Sequence, residues 1–112
     1  MNRLYTDVEE LITILEKLSV CVVGNEFDAY QETMASFSCK MGDVFPRMIA
    51  SYTKPEFAEV AADGAYWTDQ LARILSVMQS RDQFQFFDVM YFETKGNLQL
   101  YRDMIKEMEI DL

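Results

Sequence analysis

Apolar residues recur at alternating steps of three and four positions along most of the chain, and this spacing is the strongest constraint on its fold. Such steps place successive side chains on one face of an α-helix, whereas a half-buried β-strand alternates at every second residue. The chain has only four glycines and two prolines, so it offers few turns of the kind that a β protein needs. The pattern therefore predicts an all-α protein.

Four stretches carry this spacing. The first begins with a predicted capping box at Thr6 and Glu9 and ends at Gly24, which gives a helix of about 17 residues. The other three stretches predict longer helices of about 26 to 29 residues each. They cover residues 26–52, 53–78 and 82–108.

The second stretch continues through Pro46. A proline inside a helix removes one hydrogen bond and clashes with the carbonyl group four residues earlier. That carbonyl belongs to Gly42, whose flexible backbone can relax the clash. We therefore expect one kinked helix, and the alternative is a break near residues 43–45 followed by a short separate helix.

Connections of two or three residues would make consecutive helices antiparallel, and a 3.5-residue apolar repeat suits left-handed packing. A chain of 112 residues supports one core. We therefore expect a single domain over residues 1–112. Its predicted fold is an all-α, up-down-up-down antiparallel four-helix bundle with a short first helix and a Pro-kinked second helix.

The charge balance restricts the partners of the chain. It contains 10 Lys plus Arg against 19 Asp plus Glu, which gives a formal net charge of −9, and it has no histidine. Nucleic acids and anionic membranes attract clustered positive charge, so neither is an expected partner. Histidine is the commonest general base and metal ligand, and di-metal helical bundles require it. We therefore expect no enzyme activity, no cofactor and no metal.

The cysteines and the N-terminal stretch bear on location. Cys21 and Cys39 lie in apolar helical stretches, which indicates two reduced, buried thiols, with a disulfide between them as the alternative. Acidic residues interrupt the N-terminal stretch, so it lacks the apolar run of a signal peptide. No window reaches the roughly 20 apolar residues of a membrane span. These features predict a cytoplasmic protein.

The short first helix would leave one end of the bundle uncovered. At 1.5 Å per residue its shortfall is roughly 15 Å. Because it ends level with the start of the second helix, the missing turns lie at the opposite end. The apolar residues that helices 2, 3 and 4 place there would form a groove. They are Val44, Phe45, Met48, Ile49, Tyr52, Phe57, Tyr101, Met104, Ile105 and Met108.

Three alternatives could cover this groove. Residues 1–5 could run back across it, with Leu4 and Tyr5 as suitable side chains. The helix ends could instead close inward around Pro46. A partner helix, from another protein or from a second copy in a homodimer, could also fill it.

The last stretch contains three motifs that resemble a known family. They are Asp82-Gln83-Phe84, Asp88-Val89-Met90-Tyr91-Phe92-Glu93 and Leu98-Gln99-Leu100-Tyr101. It resembles the closing helix of small acidic helical-bundle proteins of unknown function from Gram-positive bacteria. The predicted architecture is also similar to flagellin-export chaperones, whose short cytoplasmic bundles hold a partner's helical tail in a groove. The resemblance covers about the last third of the chain, and only Tyr5 matches the N-terminal tyrosine-rich signature of the flagellar family.

Two functions follow from these patterns. The first is a non-enzymatic protein-interaction module, adaptor-like or chaperone-like, that binds an apolar helix or a second copy through the groove between helices 2, 3 and 4. The alternative is a small-molecule-binding bundle with an apolar cavity near Gly64, Trp67 and Tyr91.

Overall fold

The computed structural model of the chain describes residues 3–80 and 82–108. Every regular element in these ranges is a helix and none is a strand, which confirms the all-α prediction. The elements are α1 (Arg3–Val23), α2 (Phe27–Ser51), a 3₁₀-helix (Pro55–Val60), α3 (Asp63–Gln79), α4 (Gln83–Phe87), a π-helix (Asp88–Thr94) and α5 (Lys95–Met108).

The first helix is longer than predicted, and the prediction of a short first helix is wrong. It begins at Arg3 and has 21 residues, whereas α3 has 17. Thr6 therefore lies inside the helix and does not cap it. Leu4 belongs to the same buried cluster as Val8 and Leu11. Because most helix stability in proteins comes from the packing of an apolar face, burial of Leu4 outweighs the capping signal at Thr6.

The third and fourth predicted helices are each divided. Pro55 opens the 3₁₀-helix, and the Thr53 hydroxyl donates back to the Ala50 carbonyl at 2.7 Å. In the last stretch Asp82 caps α4 by accepting a hydrogen bond from the Gln85 N–H. The π-helix then separates α4 from α5, so the described residues contain five α-helices where the sequence predicted four.

The second helix runs through Pro46 without a break, as the first of the two predicted alternatives requires. The turn before it is fixed by Asn25, which has a positive φ of 57°. The Glu26 N–H donates to the Cys21 carbonyl and the Asn25 N–H to the Val22 carbonyl, the two bonds of a Schellman motif. Asn25 is therefore the left-handed residue that ends α1.

Contacts between side chains give the relative direction of neighbouring helices. Asp7 near the start of α1 bonds to Arg47 near the end of α2, so these two helices are antiparallel. Asn97 of α5 donates to the Tyr66 hydroxyl of α3. Arg73, later on α3, bonds to Glu93, which precedes Asn97 in the chain. The chain of α3 is therefore antiparallel to the π-helix and α5.

The core is one cluster that extends between these helices, and aromatic rings and methionines are prominent in it. Phe45 packs edge-on against Trp67, and Trp67 packs edge-on against Tyr101. The largest side chains that are fully buried are Phe37, Phe45, Phe57, Leu11, Leu15, Met48, Ile74, Met90, Leu98, Ile105 and Gln70.

A cluster of ion pairs joins α1 to α2. The nearly buried Asp7 carboxylate bonds to Lys40 Nζ at 3.0 Å and to Arg47 Nη1 at 2.7 Å. Burial alone would raise the pKa of Asp7, but the hydrogen bonds from the two cations outweigh it, so the pKa lies below its ordinary value. Exposed Asp43 bonds to the same Arg47 from one turn away.

Replacing the shared carboxylate tests how much this cluster stabilises the fold. Asp7→Asn removes the nearly buried carboxylate that the two cations share, leaving them only the more exposed Glu10 and Asp43, and should reduce the free energy of unfolding by about 1–3 kcal/mol at pH 7. Asp43→Asn, which removes an exposed partner of the same Arg47, should change it by less than about 0.5 kcal/mol.

The stability that Asp7→Asn loses should also depend on pH. Because the Asp7 pKa is lower in the folded chain than in the unfolded chain, its stabilisation is complete above about pH 5 and disappears as the pH falls through the folded value. Urea unfolding at several pH values measures this. A difference between wild type and Asp7→Asn that persists unchanged at pH 2 would contradict the assignment.

Two glycines provide a matched test of the packing. A Cβ atom at Gly64 would lie 3.2 Å from Tyr52 Cβ, whereas one at Gly96 would meet nothing within 4 Å. Gly64→Ala should therefore destabilise by about 1 kcal/mol. Gly96→Ala should stabilise by about 0.5–1 kcal/mol, because alanine is the better helix former. Thermal unfolding measures both, and equal shifts would contradict this packing.

Candidate interaction surface

The ten residues that the sequence predicted to line an open groove are covered in the structure. Seven are buried and three are half-buried. Leu4 belongs to the same core cluster, and Tyr5 packs against it. The chain therefore covers this end with its own leading residues, one of the three alternatives that the sequence left open. The buried residues are Val44, Phe45, Met48, Tyr52, Phe57, Tyr101 and Ile105; the half-buried ones are Ile49, Met104 and Met108.

The opposite end of the molecule exposes apolar side chains instead. Phe84 at the start of α4 is 91% exposed, Val23 at the end of α1 is 81% exposed, and Phe27 at the start of α2 is 68% exposed. Soluble proteins rarely expose large contiguous apolar patches unless something binds there. We name this region the turn-end surface and define it as Val22, Val23, Phe27, Tyr30, Phe84, Phe86 and Phe87.

An open cleft of about 210 Å³ lies within the turn-end surface. Its walls come from the end of α1, the turn to α2, the start of α2 and α4. Tyr30 and Phe86 meet across it with ring centroids 6.2 Å apart. Ligand sites for drug-sized molecules usually measure about 300–1,000 Å³, so this cleft is better matched to one or two side chains of a partner.

The π-helix explains why aromatic residues point outward here. Thr94, Leu98 and Tyr101 follow the helical spacing and are buried, and the same spacing continued backwards reaches Tyr91 and Phe87. A π-turn adds a residue to the helical turn, and Val89, five positions before Thr94, is buried together with Met90. Phe87 and Tyr91 are only half-buried.

These rings form a second aromatic group beside the cleft. Phe87 stacks on Tyr91 at a centroid distance of 5.1 Å, and Phe92 packs edge-on against both. Lys95 Nζ lies 4.2 Å from the centre of the Tyr91 ring. Phe92 is nevertheless exposed, so the aromatic surface continues from α4 along the π-helix.

The charges around the turn-end surface are mostly negative. Glu26 lines the cleft itself, and Asp28, Asp82 and Asp88 are exposed next to its aromatic residues. Among the described residues that line the cleft, none is basic. Arg81 is the cation nearest in the sequence, and it lies outside the described residues.

The two cysteines differ in their surroundings. Cys21 is buried at the base of the cleft, with its Sγ 3.9 Å from the Thr33 hydroxyl oxygen, and its predicted burial is confirmed. Cys39 is exposed, so its predicted burial is wrong. Both thiols are free, and the alternative of a disulfide between them is excluded in this structure.

A smaller cleft of about 190 Å³ lies at the other end, beside Trp67. We name it the Trp67 cleft. It lies near two of the three residues that the sequence predicted around a ligand cavity. Trp67 lines the cleft, and Gly64 lies against Tyr52, which also lines it. The third, Tyr91, belongs to the aromatic group with Phe87 and does not line it.

A chain of polar side chains lies behind the Trp67 cleft. Gln70, almost fully buried on α3, donates to the Thr94 hydroxyl at 3.0 Å and accepts from the Asn97 amide at 3.0 Å. In the described part of the chain, no buried side-chain nitrogen or oxygen lacks a hydrogen-bond partner. The sequence patterns gave no indication of this network, because Gln70 and Asn97 stand between apolar positions that the helical period already explains.

Known proteins provide no further guidance on the site. No family model, curated protein or solved structure matches the chain. Within residues 3–80 and 82–108, the acidic and thiol side chains form no group of three or more that could hold a metal ion. None of the helices described there has the length and apolar character needed to cross a membrane.

The two ends should respond differently to a buried charge. Met48 and Ile105 have no exposed surface, so Met48→Glu or Ile105→Glu should cost more than about 3 kcal/mol and abolish cooperative unfolding. Phe84→Glu should change stability by less than about 0.5 kcal/mol. Circular dichroism during thermal unfolding distinguishes these results. Folded, stable Met48→Glu protein would show that the predicted groove is open after all.

Proposed function

We propose that this chain is a non-enzymatic protein-interaction module that holds an amphipathic helix of another protein at its turn-end surface. The observation that carries the proposal is the exposure of Phe27, which lines the cleft, and of Phe84, two residues before the lining residue Phe86, at a cleft smaller than the usual site for a drug-sized ligand. Helix-in-groove recognition needs an apolar surface of this kind with pockets for anchoring side chains.

The scaffold of this module is proposed to be the predicted up-down-up-down four-helix bundle. In this view α4, the π-helix and α5 act as one rod, since they follow one another without an intervening turn. The antiparallel contacts of α1 with α2, and of α3 with α5, support the arrangement. The π-helix would then be an adaptation of the fourth rod that turns its first aromatic residues toward a partner.

The charge around the surface favours a partner with basic residues beside its apolar face. Glu26, Asp28, Asp82 and Asp88 would face such a helix, and the net charge of −9 would accelerate its approach. A second copy of this chain is a poorer occupant, because its own acidic residues would lie opposite these. The proposed resemblance to chaperones that hold a helical tail agrees with this mode of binding.

A designed peptide tests both the surface and the choice of partner. The probe is a fluorescein-labelled helical peptide with leucines on one face and lysines on the other, and its matched control carries glutamates in place of the lysines. Fluorescence anisotropy should show binding of the lysine peptide to the wild-type chain. The combined Phe27→Ser and Phe84→Ser variant should bind it about tenfold more weakly, because the exposed anchors are lost.

Controls separate specific docking from general attraction between opposite charges. Leu100→Ser removes an equally exposed apolar side chain at the other end and should leave binding unchanged. Equal binding by all three proteins would refute the surface, and equal affinity for both peptides would refute the basic partner. A dimer in sedimentation experiments that the Phe27/Phe84 variant abolishes would show that the occupant is a second copy.

A further inference from the structure

The Trp67 cleft is walled by aromatic side chains from three parts of the chain. Tyr52 ends α2, Tyr66 and Trp67 lie on α3, and Tyr101 lies on α5. The Tyr101 ring centroid lies 5.9 Å from that of Tyr52 and 6.0 Å from that of Trp67. Because Tyr52, Trp67 and Tyr101 are almost fully buried, their neighbours hold these rings in place and only a small part of each reaches the cleft, whereas the Tyr66 ring is about half exposed.

The hydrogen bonds around this cleft occupy the N–H donors of Trp67 and Asn97 and leave acceptors. The Trp67 indole N–H donates to the Tyr52 hydroxyl oxygen at 3.1 Å. The Asn97 amide nitrogen donates to the Tyr66 hydroxyl oxygen at 3.2 Å and to Gln70. Among the hydrogen bonds of the described residues, none engages the Asn97 amide oxygen or the Asp63 carboxylate.

The electrostatic character of the cleft is negative. Asp63 is the one charged side chain among the described residues that line it, and no ion pair in this part of the chain neutralises it. Asp63 and Tyr52 line the same cleft. Burial raises the pKa of Tyr52, and the Asp63 carboxylate raises it further. Burial also raises the pKa of Tyr101 to about 12, so both phenols remain neutral.

We propose that the Trp67 cleft binds a small alkylammonium cation, with the aromatic wall and Asp63 as its recognition elements. Aromatic rings attract organic cations, and quaternary ammonium groups are commonly held in sites walled by aromatic residues. The volume of about 190 Å³ suits a trimethylammonium group, since an apolar cavity of about 150 Å³ holds benzene. The site is at the opposite end from the turn-end surface, so it does not depend on the proposed function.

The chain contains a single tryptophan, which reports directly on this site. The experiment titrates the full chain with choline and follows the fluorescence of Trp67. The matched probe is 3,3-dimethylbutan-1-ol, which has the same shape without the charge. Choline should give a saturable change at millimolar concentration, and the neutral alcohol should bind at least about fivefold more weakly, because it lacks the attraction to the rings and to Asp63.

Variants assign the binding to the proposed groups. Asp63→Asn and Tyr66→Leu should each weaken choline binding by about fivefold, because one removes the charge and the other removes an exposed ring. Asp69→Asn is the matched control, because Asp69 is an exposed acidic residue of α3 that does not line the cleft. Its affinity should equal that of the wild type.

The NMR chemical shift of the Trp67 indole N–H provides a second readout, which does not depend on quenching of the Trp67 fluorescence. The proposal is overturned if neither readout saturates with choline, or if the neutral alcohol binds as well as choline. It is also overturned if Asp63→Asn binds choline as well as the wild type. Thermal unfolding of each variant shows that a loss of binding is not a loss of fold.

Discussion

The π-helix at Asp88–Thr94 is the local constraint on which the distribution of exposed and buried surface depends. Downstream of it, Leu98, Tyr101 and Ile105 continue the stripe that the core requires. Within it, Val89 and Met90 enter the core, whereas Tyr91 is only half-buried. Phe84 before the π-helix and Phe92 within it are exposed.

The two ends of the molecule consequently have opposite characters. At one end the first turn of α1 adds Leu4 to the core cluster, and the apolar ends of α2 and α5 are covered. At the other end α1 stops at the Asn25 turn, and Val23, Phe27 and Phe84 remain exposed. An uncovered apolar patch requires an explanation. The sequence predicted such a patch at the end that the structure covers, and the exposed patch at the other end supports a docking surface there.

The helical period identified much of the fold and little of the site. It predicted the all-α class, and the apolar residues on its spacing include the fully buried Phe37 and Ile74, because burial follows from spacing when a helix is regular. It failed where a local signal competed with packing, as at Thr6, and where the helix departs from regular geometry, as at the π-helix. The Gln70 network could not be found, because a polar residue between apolar ones usually faces solvent.

The hydrogen bonds that join Gln70 to Thr94 and Asn97 have a consequence for the rest of the interior. Phenylalanine and methionine adapt to many arrangements, so an interior built from them specifies poorly how far one helix may slide along another. A buried amide that finds its partners at only one relative position of α3 and α5 removes that freedom. The two hydrogen bonds of Gln70 therefore favour one alignment of α3 with the π-helix and α5.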